Sequence, residues 1–128
     1  MPRVLVRTVA IAIAILLLPA SLAQAANDDL RPYDEKLLRL SEILGAMHFL
    51  RELCGADEGQ LWRQQMAGLI AAEGSSAIRH VRLTNSFNKG YRSYRRTYQT
   101  CTSAAQSQIG RFTIEGAELA KTLTEAKP

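Results

Sequence analysis

Apolar positions recur at the spacing of one helix face in four separate stretches of the chain. In the first, Leu37, Leu40, Leu44, Met47, Leu50 and Cys54 follow one another three to four residues apart, which puts them on one side of a 3.6-residue helix. Pro32 suits the first turn, Asp34 and Glu35 suit the positive end, and Gly55 stops the helix. Leu38, Phe49 and Leu53 fall outside the stripe, so this helix is apolar on more than one side and is expected at the centre of the domain.

Asp57-Glu58-Gly59-Gln60 has the spacing of a capping box, and a second helix follows with Leu61, Trp62, Met66, Leu69 and Ile70 turned inward. Gly74 reads as its C-terminal cap, and Ser75 or Ser76 as the start of a third helix. Ser103-Ala104-Ala105-Gln106 offers another capping box, after which Ala105, Ile109, Phe112, Gly116, Leu119 and Leu123 mark a fourth helix. The expected helices cover about 32–53, 58–73, 76–101 and 103–124. No stretch alternates apolar and polar residues at period two, and no tight hairpin signal appears, so the fold class predicted is an all-α domain of four helices.

The third stretch has two faces. At 100° per residue Leu83, Phe87, Gly90, Tyr91, Tyr94, Tyr98 and Cys101 fall within a wedge of roughly 100°, with Arg82, Lys89, Arg92 and Arg96 opposite. One side is aromatic and the other basic. A continuous helix would bring Cys101 onto the aromatic, core-directed side, where it can meet Cys54 at the apolar end of the first helix.

Ahead of the helices, Arg3 and Arg7 precede an uncharged apolar run from Val9 to Leu18, then Pro19 and the small-residue stretch Ala23-Gln24-Ala25. That order is a cleavable signal peptide over residues 1–25, leaving one helical domain over 26–128. A helix over Val9 to Leu18 would extend roughly 15 Å, about half a bilayer's hydrocarbon thickness, so stable membrane insertion after cleavage is not expected. Loss of Arg3 and Arg7 lowers the formal charge from +4 to +2, with 14 basic residues against 12 acidic ones, which removes the bulk-charge case for a nucleic-acid partner.

In an oxidising compartment Cys54 and Cys101 read as a disulfide, with two buried free thiols as the alternative. Closing a loop of that length is worth about 4 kcal/mol in the chain-entropy model, comparable with the net stability of a small domain.

Charge is unevenly spread. From Gly74 to Ile114 there is no acid, against seven bases, while Ala26 to Glu73 carries nine acids and five bases. The basic stripe suits an anionic polymer or an acidic partner protein; the plainer reading is a solvated face, or pairing with the acids of the first two helices. Likewise Phe87, Tyr91, Tyr94 and Tyr98 can line a groove that stacks on sugar rings or a peptide, although helical spacing favours a core.

Catalytic and metal signals are thin. His48 lies one turn before Glu52, but two ligands without a third make a weak metal site, and neither H-E-x-x-H nor C-x-x-C-H occurs. There is no G-x-S-x-G elbow and no phosphate-cradling glycine loop, and spacing singles out no pair among Glu42, Glu52 and Glu73 for glycan hydrolysis. No enzyme, cofactor or metal is therefore expected.

The segments Pro32 to Gly45, Leu50-Arg51-Glu52-Leu53-Cys54-Gly55, Phe87-Asn88-Lys89-Gly90-Tyr91 and Thr97-Tyr98-Gln99-Thr100-Cys101-Thr102 resemble a family of small exported alphaproteobacterial proteins with a domain of unknown function. The resemblance spans nearly the whole of the predicted mature chain. It implies a periplasmic address and carries no catalytic residues with it. The expected function is a non-catalytic periplasmic protein that binds an envelope protein or peptidoglycan in support of envelope assembly or growth. Arg82, Lys89, Arg92 and Arg96 would make the charged contact, with Trp62, Tyr91 and Tyr94 as anchors. The competing expectations are a metal- or haem-binding carrier and a small cell-wall hydrolase.

Overall fold

The computed structural model describes residues 29–126, so the signal peptide expected over 1–25 lies outside the described residues. The chain divides into two units, Met1–Leu30 and Arg31–Pro128, and the second holds four helices. These are α1 (Asp34–Leu53), α2 (Leu61–Glu73), α3 (Ala77–Thr97) and α4 (Ser103–Ala126). Among the described residues there is no strand.

α1 is the hub, and the other three helices pack around it. It feeds two apolar clusters at once. On one side Ile43, Ala46, Met47 and Leu50 meet Ala105 and Phe112 of α4. On the other, Leu37 meets Met66 of α2 and Leu83 and Phe87 of α3. Burying a side chain of this size stabilises by about 1.5–3 kcal/mol, and a helix with apolar residues on several sides collects that gain from several neighbours.

The closest approach is between α1 and α3, and it is a glycine contact. A Cβ at Gly45 would overlap the carbonyl oxygen of Phe87 and lie 2.7 Å from its carbonyl carbon; one at Gly90 would overlap the carbonyl oxygen of Glu42 and lie 3.0 Å from Ala46 N. The two backbones therefore touch where both side chains are absent. Ser41, one turn before Gly45, is fully buried and stays satisfied by donating from its hydroxyl to Leu37 O at 2.9 Å.

The ends of α1 are fastened differently. Gly55, at φ 84°, supplies the left-handed residue that closes α1; its N–H bonds Glu52 O at 3.1 Å, and Ala56 N–H bonds Arg51 O at 2.9 Å, the paired bonds of a Schellman cap. Just before it Cys54 is joined to Cys101, as the sequence predicts, with the Cα atoms 4.9 Å apart. At the opposite end Arg79 of α3, only 4 % exposed, bonds Glu73 O at 2.7 Å and Asp34 Oδ2 at 2.8 Å, and Tyr33 OH donates to Glu73 Oε2 at 3.0 Å. Buried ion pairs of this kind contribute little net stability against an apolar substitute, but they fix which helix ends meet.

Several local expectations are corrected. α3 stops at Thr97 rather than 101: Tyr98 is extended (φ −119°, ψ 127°), so a non-helical linker carries Cys101 to Cys54. α2 begins at Leu61, not 58, with Gln60 at its N-cap and no side-chain cap bond; Asp57 stands three residues ahead of that N-cap, so the predicted box is out of register with the helix. The cap of α4 is Thr102, whose hydroxyl accepts from Ala105 N at 3.1 Å, one residue ahead of the predicted box. Gly74 caps the C-terminal end of α2 as predicted, at a φ of −85°, and Ser76 caps the start of α3, accepting from Arg79 N.

Candidate functional site

The basic side of α3 is the first candidate, and its sequence dictates its exposure. Leu83, Phe87 and Gly90 are buried against α1, which leaves the opposite side outward. There Arg92 and Arg96 are exposed, Arg82 is partly exposed, and none of the three makes an ion pair among the described residues. Lys89 is also exposed but reaches Glu42 Oε2 at 3.3 Å. Two apolar side chains at the N-terminal end of this helix, Ile78 and Val81, stay 46 % and 56 % exposed. The other bases of the acid-free stretch are engaged: Arg79 in the buried knot, Arg95 over the Tyr91 ring at 5.8 Å, and Arg111 with Gln108.

The proposed aromatic anchors are not on this face. Tyr91 packs edge-on against Phe49 and beside His48; Tyr94 stacks on Tyr98, meets Phe112 edge-on, and accepts a hydrogen bond from Gln108 Nε2 at 3.1 Å. Both rings are half-buried. Burial pushes the Tyr94 hydroxyl above its ordinary pKa.

Trp62 stands at the start of α2, half-buried, with its indole N–H donating to Glu58 Oε2 at 2.7 Å. Arg51 Nε bonds the same carboxylate at 3.0 Å, and the bond from Arg51 holds Glu58 below the usual carboxylate range, with the Trp62 bond adding to it. On one side of Trp62 lies a polar pocket of about 120 Å³ with His48, Arg51, Glu52, Asp57 and Glu58 in its walls. His48 is 6 % exposed, and Arg63 Nε donates to its Nε2 at 3.1 Å. Burial, then the Arg63 charge, lowers the His48 pKa.

On its other side Trp62 walls a larger apolar groove of about 520 Å³, which periodicity did not reveal. Its floor is α1, at Leu40, Ile43, Leu44 and Met47; α2 forms one wall at Gly68 and Ala72, and α4 the other at Phe112, Gly116 and Ala120. α2 and α4 both pack on α1 yet do not form a broad contact with each other, and the gap between them is the groove. The signal for it in the sequence was the small residues at i, i+4 on both flanking helices, Gly68 with Ala72 and Gly116 with Ala120.

The residues weighed for other chemistry are dispersed. Glu42 is held by Arg39 and Lys89, and Glu73 by Arg79 and Tyr33, while Glu52 is exposed beside the small pocket. Among the described residues no three His, Cys, Asp or Glu side chains are grouped as metal ligands, and no helix is long and apolar enough to cross a membrane.

No curated protein and no solved structure matches the chain. A family model described as a protein of unknown function, DUF2385, matches residues 32–126, which takes in all four helices, the disulfide and both sides of Trp62. The chain belongs to the DUF2385 family.

Proposed function

We propose that this is a non-catalytic periplasmic domain that binds a component of the cell envelope, peptidoglycan, through the outer face of α3. The observation that carries this reading is a helix face with no acid and with Arg82, Arg92 and Arg96 unneutralised among the described residues. Arg82, Lys89 and Arg96 follow at seven-residue intervals, about 10 Å apart along the axis, with Arg92 between them. A row of that kind suits a polymer bearing carboxylates at regular intervals, and Ile78 and Val81 beside it add apolar contact. The disulfide accords with an exported address. Arg92 and Arg96 supply charge, and the half-buried Tyr91 and Tyr94 stiffen the helix behind them rather than touch the ligand.

Co-sedimentation of the oxidised protein with purified sacculi tests it. Retention at low ionic strength, released by salt and abolished by the combined Arg82→Glu, Arg92→Glu and Arg96→Glu substitutions, is the expected result. No retention at low salt, or retention that the triple substitution leaves unchanged, overturns it.

A further inference from the structure

The groove and the polar pocket meet at Trp62, and their chemistries describe the two ends of one molecule. The groove's volume of about 520 Å³ lies within the range of small-molecule sites, and its lining carries no charge. From Trp62 to Ala72 it follows α2 for ten residues, about 15 Å, so its occupant is long rather than round. Gly68 sits in the interior of α2, where glycine weakens a helix, yet a Cβ there would meet nothing within 4 Å. Nothing in the domain needs that glycine, unlike Gly45 and Gly90; what it provides is room in the groove wall.

The pocket beyond Trp62 sets the charge of the other end. Arg51 is neutralised by Glu58, whereas Glu52 and Asp57 are exposed and in no ion pair among the described residues. With Arg63 bonded to His48 at the pocket, the three carboxylates outnumber the two guanidinium groups by one, so the local field stays negative, and the indole face beside it adds attraction for a cation. We propose that the domain binds a single-chain amphiphile with an amine head, its aliphatic tail in the α1–α2–α4 groove and its ammonium against Glu52 and Asp57 beside Trp62. This site uses none of the α3 cations, so it stands or falls apart from the peptidoglycan reading.

Trp62 is the one tryptophan of the chain, so its fluorescence reports occupancy directly. The oxidised protein is titrated with dodecylammonium, dodecanoate and butylammonium, all below micelle formation, while circular dichroism follows the fold. The expected result is saturable one-site binding of dodecylammonium, at least tenfold tighter than dodecanoate, with no response to butylammonium. Gly68→Leu, which the open space accommodates, lowers dodecylammonium affinity at least tenfold with helicity and melting temperature retained. Glu52→Gln with Asp57→Asn brings the ammonium and the carboxylate to within twofold of each other. Non-saturable binding, equal affinity for both head groups in the unmodified protein, or undiminished binding by Gly68→Leu each overturns the assignment.

Discussion

Replacing Gly90 by alanine adds one methyl group, and the structure says where it must go. The new Cβ would overlap Glu42 O, with Glu42 C at 2.9 Å and Ala46 N at 3.0 Å, all of them backbone atoms of α1 that no side-chain rotation can move aside. The two helices must part by on the order of 1 Å at their crossing, a gap that forfeits a quarter to a half of each dispersion contact across it. Leu83 and Phe87, now 2 % and 5 % exposed, are the side chains that lose most. Overpacking of this kind costs about 1–3 kcal/mol, and a clash with backbone belongs at the upper end. The better helix propensity of alanine returns only about 0.5–1 kcal/mol. The net loss is about 2 kcal/mol or more, or roughly 8–16 °C of melting temperature for a domain of this size. Urea unfolding followed at 222 nm measures it, with Gly110→Ala as the control. Gly110 is also within a helix, but its Cβ would meet nothing within 4 Å, so that variant should gain about 0.5–1 kcal/mol. The same substitution thus changes sign with position. A Gly90→Ala protein as stable as Gly110→Ala refutes the backbone contact between α1 and α3.

Opening the disulfide by the double substitution Cys54→Ser with Cys101→Ser should lower stability by about 4 kcal/mol, read from urea unfolding with midpoint and slope fitted together, the slope rising as the unfolded chain expands; a loss below about 1 kcal/mol counts against the bond as the staple of this domain. Acid should weaken the fold in two stages. His48 is held below its ordinary value of about 6.5, so as pH falls the unfolded chain binds the proton first. The stability it contributes is present above about pH 6.5 and is lost below it. Glu58 and Glu115, held down chiefly by hydrogen bonds from Arg51 and Arg39, contribute stability above their ordinary value that is lost as pH drops through their lowered ones. The urea midpoint should therefore fall between about pH 7.5 and 5.5, and His48→Gln should flatten that part of the curve; a midpoint that is constant or rises over this range contradicts the assignment.

The number and order of the helices were legible because each carries its own periodic apolar stripe, and local spacing is a property of sequence. The central place of α1 was legible for the same reason, since Leu38, Phe49 and Leu53 widen its apolar surface beyond one stripe. The pairing of Cys54 with Cys101 followed from there being only two cysteines to join. Helix ends were read less well. Asp57 to Gln60 has the letters of a capping box, but Gly59 at φ 54° turns the backbone left-handed within it and the helix starts only after Gln60, so Asp57 stands three residues ahead of the N-cap and the box does not form. Tyr98 and Cys101 continue the angular pattern of α3 although the backbone has already turned extended, because periodicity cannot register where hydrogen bonding stops.

The candidate sites divide along the same line. The basic face of α3 was visible as a charge pattern on one helix. The groove is made by three helices far apart in sequence, and its central feature is the absence of side chains at Gly68 and Gly116. The sequence by itself determined which elements form and which of their faces are apolar, since those depend on neighbours a few residues away. Which glycines mark a contact and which leave a space was decided only by tertiary packing: Gly45, Gly90 and Gly68 are alike as letters, and they differ in whether another backbone lies within reach of a missing methyl group.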